Sequence, residues 1–207
     1  MFENRTAAGE RLADALDREG IRADVVVAIP RGGLPVGRPV TDRLGVPLGV
    51  VVASKIGAPG NPEYALGAVA EDGTVWLDDD VVERLSVEES YLARERERER
   101  AVAEEKAESY RGGPRPSFAG ERVVVVDDGV ATGATMRACL QLVREDDPEL
   151  LVVAVPVGPP DTLSALAEIA DRVVAVERPA RFRAVGAHYR DFDQVSDEEA
   201  IGYLDGR

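Results

Sequence analysis

The stretch Asp127-Asp128-Gly129-Val130-Ala131-Thr132-Gly133-Ala134-Thr135 places two adjacent carboxylates at the head of a loop of small and hydroxylated residues. It follows Val123-Val124-Val125-Val126, a continuous β-branched run of the kind that forms a fully buried strand, and it leads into a helical pattern over 136–144. In that setting the main-chain N–H groups of Ala131 to Thr135 converge at a helix N-terminus, where an anion is favoured. Thr132 and Thr135 add hydroxyl donors. One end of the loop is suited to a phosphate, and Asp127 and Asp128 at the other end to hydroxyl groups or a hydrated cation. A sugar phosphate satisfies both ends at once. Two other strand ends carry cations: Pro30-Arg31-Gly32-Gly33, and Ser54-Lys55. Lys55 stands out because Lys55 and Lys106 are the only lysines in the chain.

The elements that must position these residues follow from periodicity. An amphipathic helix is predicted over 4–19, with Leu12, Ala15 and Leu16 on one face. Val25 to Ile29 reads as a buried strand, 35–44 as a helix and Leu48 to Ala53 as a second buried strand. The Gly- and Pro-rich stretch 57–73 reads as a loop or loose hairpin, and 74–77 as a short strand. Ser86 and Glu89 form a capping-box pattern that opens a long charged helix to Tyr110, read as a solvated cover on one side of the fold. Further strands are predicted at 150–155 and 172–176, a helix at 162–170, an irregular aromatic tail at 179–189 and a closing helix from Ser196. Buried strands alternating with helices predict an α/β fold: a parallel twisted sheet flanked by helices. In such sheets ligands sit at the carboxyl ends of the strands, where all three motifs lie.

Composition limits the partners. The 207 residues, 44% hydrophobic and 31% charged, suit one globular domain over 1–207. Within it, about 57–116 is expected to be a lid and helical insertion. No apolar run is long enough to span a membrane, and the first residues carry no secretory pattern, so a soluble cytoplasmic protein is expected. A net charge of −14 disfavours nucleic acid, and any anionic ligand must be held locally against that field. The acidic, lysine-poor balance fits a high-salt cytoplasm and codon bias equally well. The single cysteine, Cys139, excludes a disulfide framework.

The thirteen residues Val123 to Thr135 resemble the phosphoribosyl-pyrophosphate (PRPP) signature of the type I phosphoribosyltransferases. Ala131 stands where many members carry Thr or Ser. The whole chain also resembles an uncharacterised small subgroup of that family, through Gly60-Asn61-Pro62-Glu63-Tyr64-Ala65-Leu66-Gly67-Ala68-Val69. The resemblance implies the type I fold with a small hood and a Mg²⁺-dependent enzyme that passes the ribose 5-phosphate of PRPP to a nucleobase-like acceptor, purine favoured, as a homodimer. It implies that Asp127 and Asp128 hold the ribose hydroxyls and hydrated Mg²⁺, without a direct protein ligand set. Ala131, Thr132, Gly133, Ala134 and Thr135 would wrap the 5′-phosphate. Arg31, Gly32, Gly33 and Lys55 would clamp pyrophosphate, with a cis peptide expected at Arg31–Gly32. The Gly57 to Gly67 segment, carrying Glu63 and Tyr64, is the candidate lid. Phe182, Val185 and Tyr189, in the C-terminal segment 179–207, are candidates for the acceptor site, although the aromatics fit a small local core equally well. His188, the only histidine, reads as structural.

Two other readings compete. Asp78-Asp79-Asp80-Val81-Val82 matches the nucleophile pattern of haloacid-dehalogenase-like phosphatases, without the rest of that apparatus. A PRPP-binding regulator would keep the fold and the cradle while lacking transfer.

Overall fold

The computed structural model describes residues 1–205; the last two positions of the expected 179–207 segment lie outside it. A five-stranded sheet has the order β2-β1-β6-β7-β8, with every neighbouring pair parallel. Its strands are β1 (Val25–Ala28), β2 (Leu48–Val50), β6 (Arg122–Val126), β7 (Leu150–Val157) and β8 (Arg172–Glu177). The β-branched runs are buried on both faces, as strands between two helical layers must be. Val123 and Val125 pack toward Met136, Leu140 and Val143 of α5 (Ala134–Arg144). Val124 and Val126 pack toward Leu12 and Leu16 of α1 (Arg5–Arg18) and Leu34 and Val40 of α2 (Gly33–Leu44). This period-two division fixes the register, because a one-residue slip would exchange the two faces.

Between β2 and β6 the chain builds a hood, a separate antiparallel sheet of β3 (Ala53–Ala58), β4 (Asn61–Ala70) and β5 (Val75–Leu77). The predicted strand over 48–53 is therefore two strands. The chain leaves the parallel sheet at Val51 and Val52, where Val52 O accepts from Glu71 N and pulls the backbone into the hood. The 57–73 stretch is more regular than a loop: β4 takes up most of it, paired with β3 through an irregular register at Gly57. Lys55 lies inside β3 rather than at the end of β2.

Two helices follow, α3 (Asp79–Arg84) and α4 (Glu89–Arg111). Asp78 caps α3, its carboxylate accepting from Val81 N at 3.1 Å, which accounts for the acidic turn without phosphatase chemistry. The predicted capping box at Ser86 does not form. Ser86 instead ends α3 in a left-handed conformation (φ 50°), and Val87 N closes the turn on Val82 O, so α4 opens at Glu88. Helix α4 covers the hood and reaches β2, burying Leu92, Ala103, Ala107 and Tyr110. Its Arg111 forms a buried ion pair with Glu71. Helix α6 spans Pro160–Leu166, shorter than predicted, and α7 spans Asp197–Leu204 behind a Ser196–Glu199 capping box. Cys139 is buried in the core. Among the described residues no helix is long and apolar enough to cross a membrane.

Candidate active site

Strand β6 delivers Asp127 and Asp128 to the carboxyl edge of the sheet, and the following loop is held from two sides. Val130 N donates to Val157 O at the end of β7, and the Thr162 hydroxyl donates to Ala131 O at 2.8 Å. Gly133 caps α5 at φ 80°, a conformation other residues adopt only with strain, and a Cβ there would also press on Thr162 at 2.9 Å. Ala134 and Thr135 thus form the first turn of α5 beside the loop, with Ala134 N donating to Thr132 Oγ1 at 3.5 Å.

A cleft of about 200 Å³ brings together Lys55, Asp127, the 131–135 loop and Val185. Asp127 accepts a hydrogen bond from Asp128 N at 2.8 Å. Burial, with the adjacent Asp128 charge, pushes the Asp127 carboxyl well above the usual carboxylate range. Lys55 Nζ reaches Glu63 Oε2 on β4 at 3.1 Å. The neighbouring Tyr64 hydroxyl accepts from Arg84 at 2.7 Å.

Asp128 is differently placed from Asp127. Its Oδ2 accepts from Arg5 Nε at 2.7 Å, and its main-chain oxygen accepts from the Tyr189 hydroxyl at 2.6 Å. Burial raises its carboxyl and Arg5 lowers it, burial prevailing. Gly32 packs directly on this carboxylate, leaving no room for a Cβ.

The pyrophosphate-loop candidates divide. Gly32 and Gly33 open α2 beneath Asp127 and Asp128. The Arg31 side chain points to α7, 3.8 Å from Asp197 Oδ2, and does not line the cleft. Asp197 also accepts from the Tyr110 hydroxyl at 2.6 Å. The cis peptide is at Pro30–Arg31, one bond before the expected position. Arg31 and Gly32 lie in the turn that leads into α2, where Gly33 N donates to Ile29 O and Leu34 N to Arg31 O.

Of the acceptor-side candidates only Val185 lines the cleft, its methyl against Gly129. Phe182 stacks on His188, with ring centroids 5.3 Å apart. Tyr189 is buried between Phe2 and Phe192. Arg5 and Asp197 carry no local sequence signal. Arg5 is 123 positions from the aspartate it holds, and only the folded sheet brings them together.

Comparison with known proteins agrees with this geometry. The family model of the phosphoribosyl transferase domain matches residues 2–190. The chain is 41% identical over 206 residues to Mycobacterium tuberculosis proteins, from two strains, whose names assign them provisionally to the phosphoribosyl transferases. The match covers 99% of this chain and 46% of theirs, so the chain spans about half the length of these curated relatives. The crystal structure of TT1426 from Thermus thermophilus superposes with a TM-score of 0.81 at 46% identity, covering 99% of this chain and 97% of that one. A purine phosphoribosyltransferase from Pyrococcus horikoshii shares the fold at a TM-score of 0.50 and 18% identity, over 91% and 90% of the two chains. With the parallel sheet, the hood and the loop after β6 in place, the chain belongs to the phosphoribosyl transferase domain family.

Proposed function

We propose that this chain transfers the 5-phosphoribosyl group of PRPP to a nucleobase-like acceptor, a purine in the favoured case, and releases pyrophosphate. The observation that carries the reading is the shared cleft: Asp127, Lys55 and the 131–135 loop face one cavity of about 200 Å³. The loop amides with Thr132 and Thr135 bind the 5′-phosphate, and Asp127 accepts from a ribose hydroxyl. Lys55 and the Gly32 amide attract the pyrophosphate, with Arg31 joining them once it leaves Asp197, whereas the Gly33 amide donates to Ile29 O. In the transfer the bond from the anomeric carbon to the pyrophosphate oxygen breaks, and its electron pair departs with pyrophosphate. A nitrogen lone pair of the acceptor forms the new bond, and the acceptor's ring N–H proton passes to solvent. Once in place, these donors around the leaving oxygens stabilise the charge that develops there. The β3–β4 hairpin, as lid, keeps water from the reacting carbon.

The donor set fits Mg²⁺ held through the substrate. Asp127 is the carboxylate that lines the cleft, and it would hold a hydrated ion there. When bound, the ion supplies neutralisation of the departing pyrophosphate. Val185 borders the acceptor space in this reading, with Phe182 behind it. We extend the reading to a cytoplasmic homodimer on the family resemblance alone, and sedimentation tests the oligomeric state.

The deciding experiment is mass-resolved product analysis after incubation with PRPP, Mg²⁺ and a panel of nucleobases at low and high salt. A new nucleotide mass is expected. PRPP that binds but stays intact overturns the transferase in favour of a PRPP-binding regulator. The variant carrying Asp127→Asn and Asp128→Asn together is expected to lose PRPP binding while keeping the fold, and wild-type affinity there overturns the ribose-holding role.

A further inference from the structure

Two adjacent acidic side chains follow β6, yet they face different surroundings. Asp127 borders the open cleft, whereas Asp128 is enclosed by parts of the chain far from it in sequence. Arg5, the first residue of α1, holds Oδ2 at 2.7 Å, and the two side chains are only 12% and 14% exposed. The guanidinium is itself fixed. Its carbon lies 3.8 Å from the centre of the Phe192 ring, and Nη1 donates to Asp193 O at 2.8 Å. Phe192 packs on Tyr189, whose hydroxyl donates to the main-chain oxygen of Asp128. The N-terminal and C-terminal segments are tied together beneath this arrangement, Phe2 N donating to His188 O and Arg190 N to Phe2 O.

We propose that Arg5 is a positioning residue for phosphoribosyl transfer: it fixes the Asp128 carboxylate by one oxygen, beside Gly32, and so holds the Asp128 N–H that orients the cleft-facing Asp127 carboxylate toward a ribose hydroxyl. The inference rests on the PRPP reading above. It follows from three features. A guanidinium fork held at two further points restricts the carboxylate far more than a mobile lysine could. Gly32 lies against Oδ2, the oxygen that Arg5 holds, and even a methyl group does not fit there. Among the described residues Arg5 is the one cation in an ion pair with either aspartate. A carboxylate held in place before substrate arrives loses less freedom on binding, and it meets the charge developing on the ribosyl group without reorganising. Arg5 touches no substrate in this account and acts only through Asp128.

The test is calorimetric titration of PRPP with Mg²⁺, together with steady-state kinetics, on wild type, Arg5→Lys and Arg5→Ala. Arg5→Ala is expected to weaken PRPP binding at least tenfold and to lower kcat, while the KM for the acceptor moves less than twofold. Arg5→Lys is expected to recover part of the loss. Guanidinium ion at millimolar concentration is expected to restore part of the affinity of Arg5→Ala and to do nothing for wild type. A role confined to stability would lower the melting temperature without that selective KM change and without rescue. Equal PRPP affinity and kcat in wild type and Arg5→Ala overturn the inference while leaving the PRPP reading intact. Absence of PRPP binding by wild type overturns both. Should Arg5→Ala fail to fold, Arg5→Lys decides: unchanged PRPP affinity and kcat in that variant also overturn the inference.

Discussion

Gly32 lies against the carboxylate of Asp128 so closely that no side chain can stand between them. The contact joins the loop before α2 to the loop after β6, so the candidate pyrophosphate and ribose subsites share one boundary. Gly32→Ala has to push Asp128 away or shift the start of α2. Overpacking of this kind costs about 1–3 kcal/mol. Chemical denaturation is expected to show that loss, and PRPP affinity is expected to fall with it. An alanine variant with wild-type stability and affinity would show that the boundary yields freely.

Lys55 and Glu63 form the second testable contact, at 3.1 Å, with Glu63 almost fully exposed at 90%. Exposed pairs are weak, about 0.2–1 kcal/mol, so an incoming pyrophosphate displaces Glu63 readily. Glu63→Gln is expected to lower the KM for PRPP about twofold to fivefold by removing the competing carboxylate. Lys55→Met is expected to raise it at least tenfold. If Glu63→Gln raises KM instead, Glu63 belongs to the bound state.

Asp127 gives a prediction about stability against pH. Its folded pKa lies well above the ordinary carboxylate value, because burial and the Asp128 charge disfavour ionisation. The unfolded chain ionises near pH 3.9, so between that point and the raised folded value the folded state binds more protons. Folding stability contributed by this group therefore falls as pH rises, by about 1.4 kcal/mol for each pH unit inside the window. Asp127→Asn keeps the oxygen that accepts from Asp128 N. It is expected to melt higher than wild type at pH 7, with the gap closing toward pH 4, while losing PRPP binding. A gap independent of pH would show that Asp127 carries no such penalty.

Glu71 and Arg111 pin the end of α4 to the hood. The pair is largely buried, and Glu71 also accepts from Val52 N at 3.3 Å, where the chain leaves the parallel sheet. Removing one partner of a buried pair leaves an uncompensated charge, at a cost of about 3–5 kcal/mol. Arg111→Met is expected to lose that much in urea unfolding, and the double variant with Glu71→Leu to regain a good part of it. Additive losses would mean that the two side chains do not act as a pair.

The parts of the fold that are legible in the sequence are those whose causes are local. Val25 to Ala28 and Val123 to Val126 are strands because β-branched runs suit a sheet buried on both faces. The 127–135 loop announces itself by two carboxylates followed by small and hydroxylated residues. What the sequence hides depends on distant chain. Ser86 has the residue pattern of a helix start, but backbone bonds to α3 make it an end. Lys55 has the pattern of a strand terminus, but Glu71 draws Val52 out of the parallel sheet and a new strand begins before the lysine. Tyr189 fits a stacking surface and a local core equally well by residue type. The bond from its hydroxyl to Asp128 O and the rings of Phe2 and Phe192 put it in the core. Arg5 carries no signal at all, since its partner is reached only through α1 packing across the sheet.

Both cations nearest the proposed pyrophosphate position carry their own carboxylates: Lys55 has Glu63 from the hood, and Arg31 has Asp197 from α7. Filling the cleft is then an ion exchange rather than a simple addition of charge. Each bond made to an arriving anion replaces one surrendered by the protein, and salt weakens the pairs given up as well as the pairs formed. Affinity should therefore depend on ionic strength far less than the −14 charge of the chain suggests. The two displaced carboxylates sit on different segments, so a single bound anion would break one ion pair at the hairpin tip and one at the start of α7, where Asp197 keeps its bond from Tyr110.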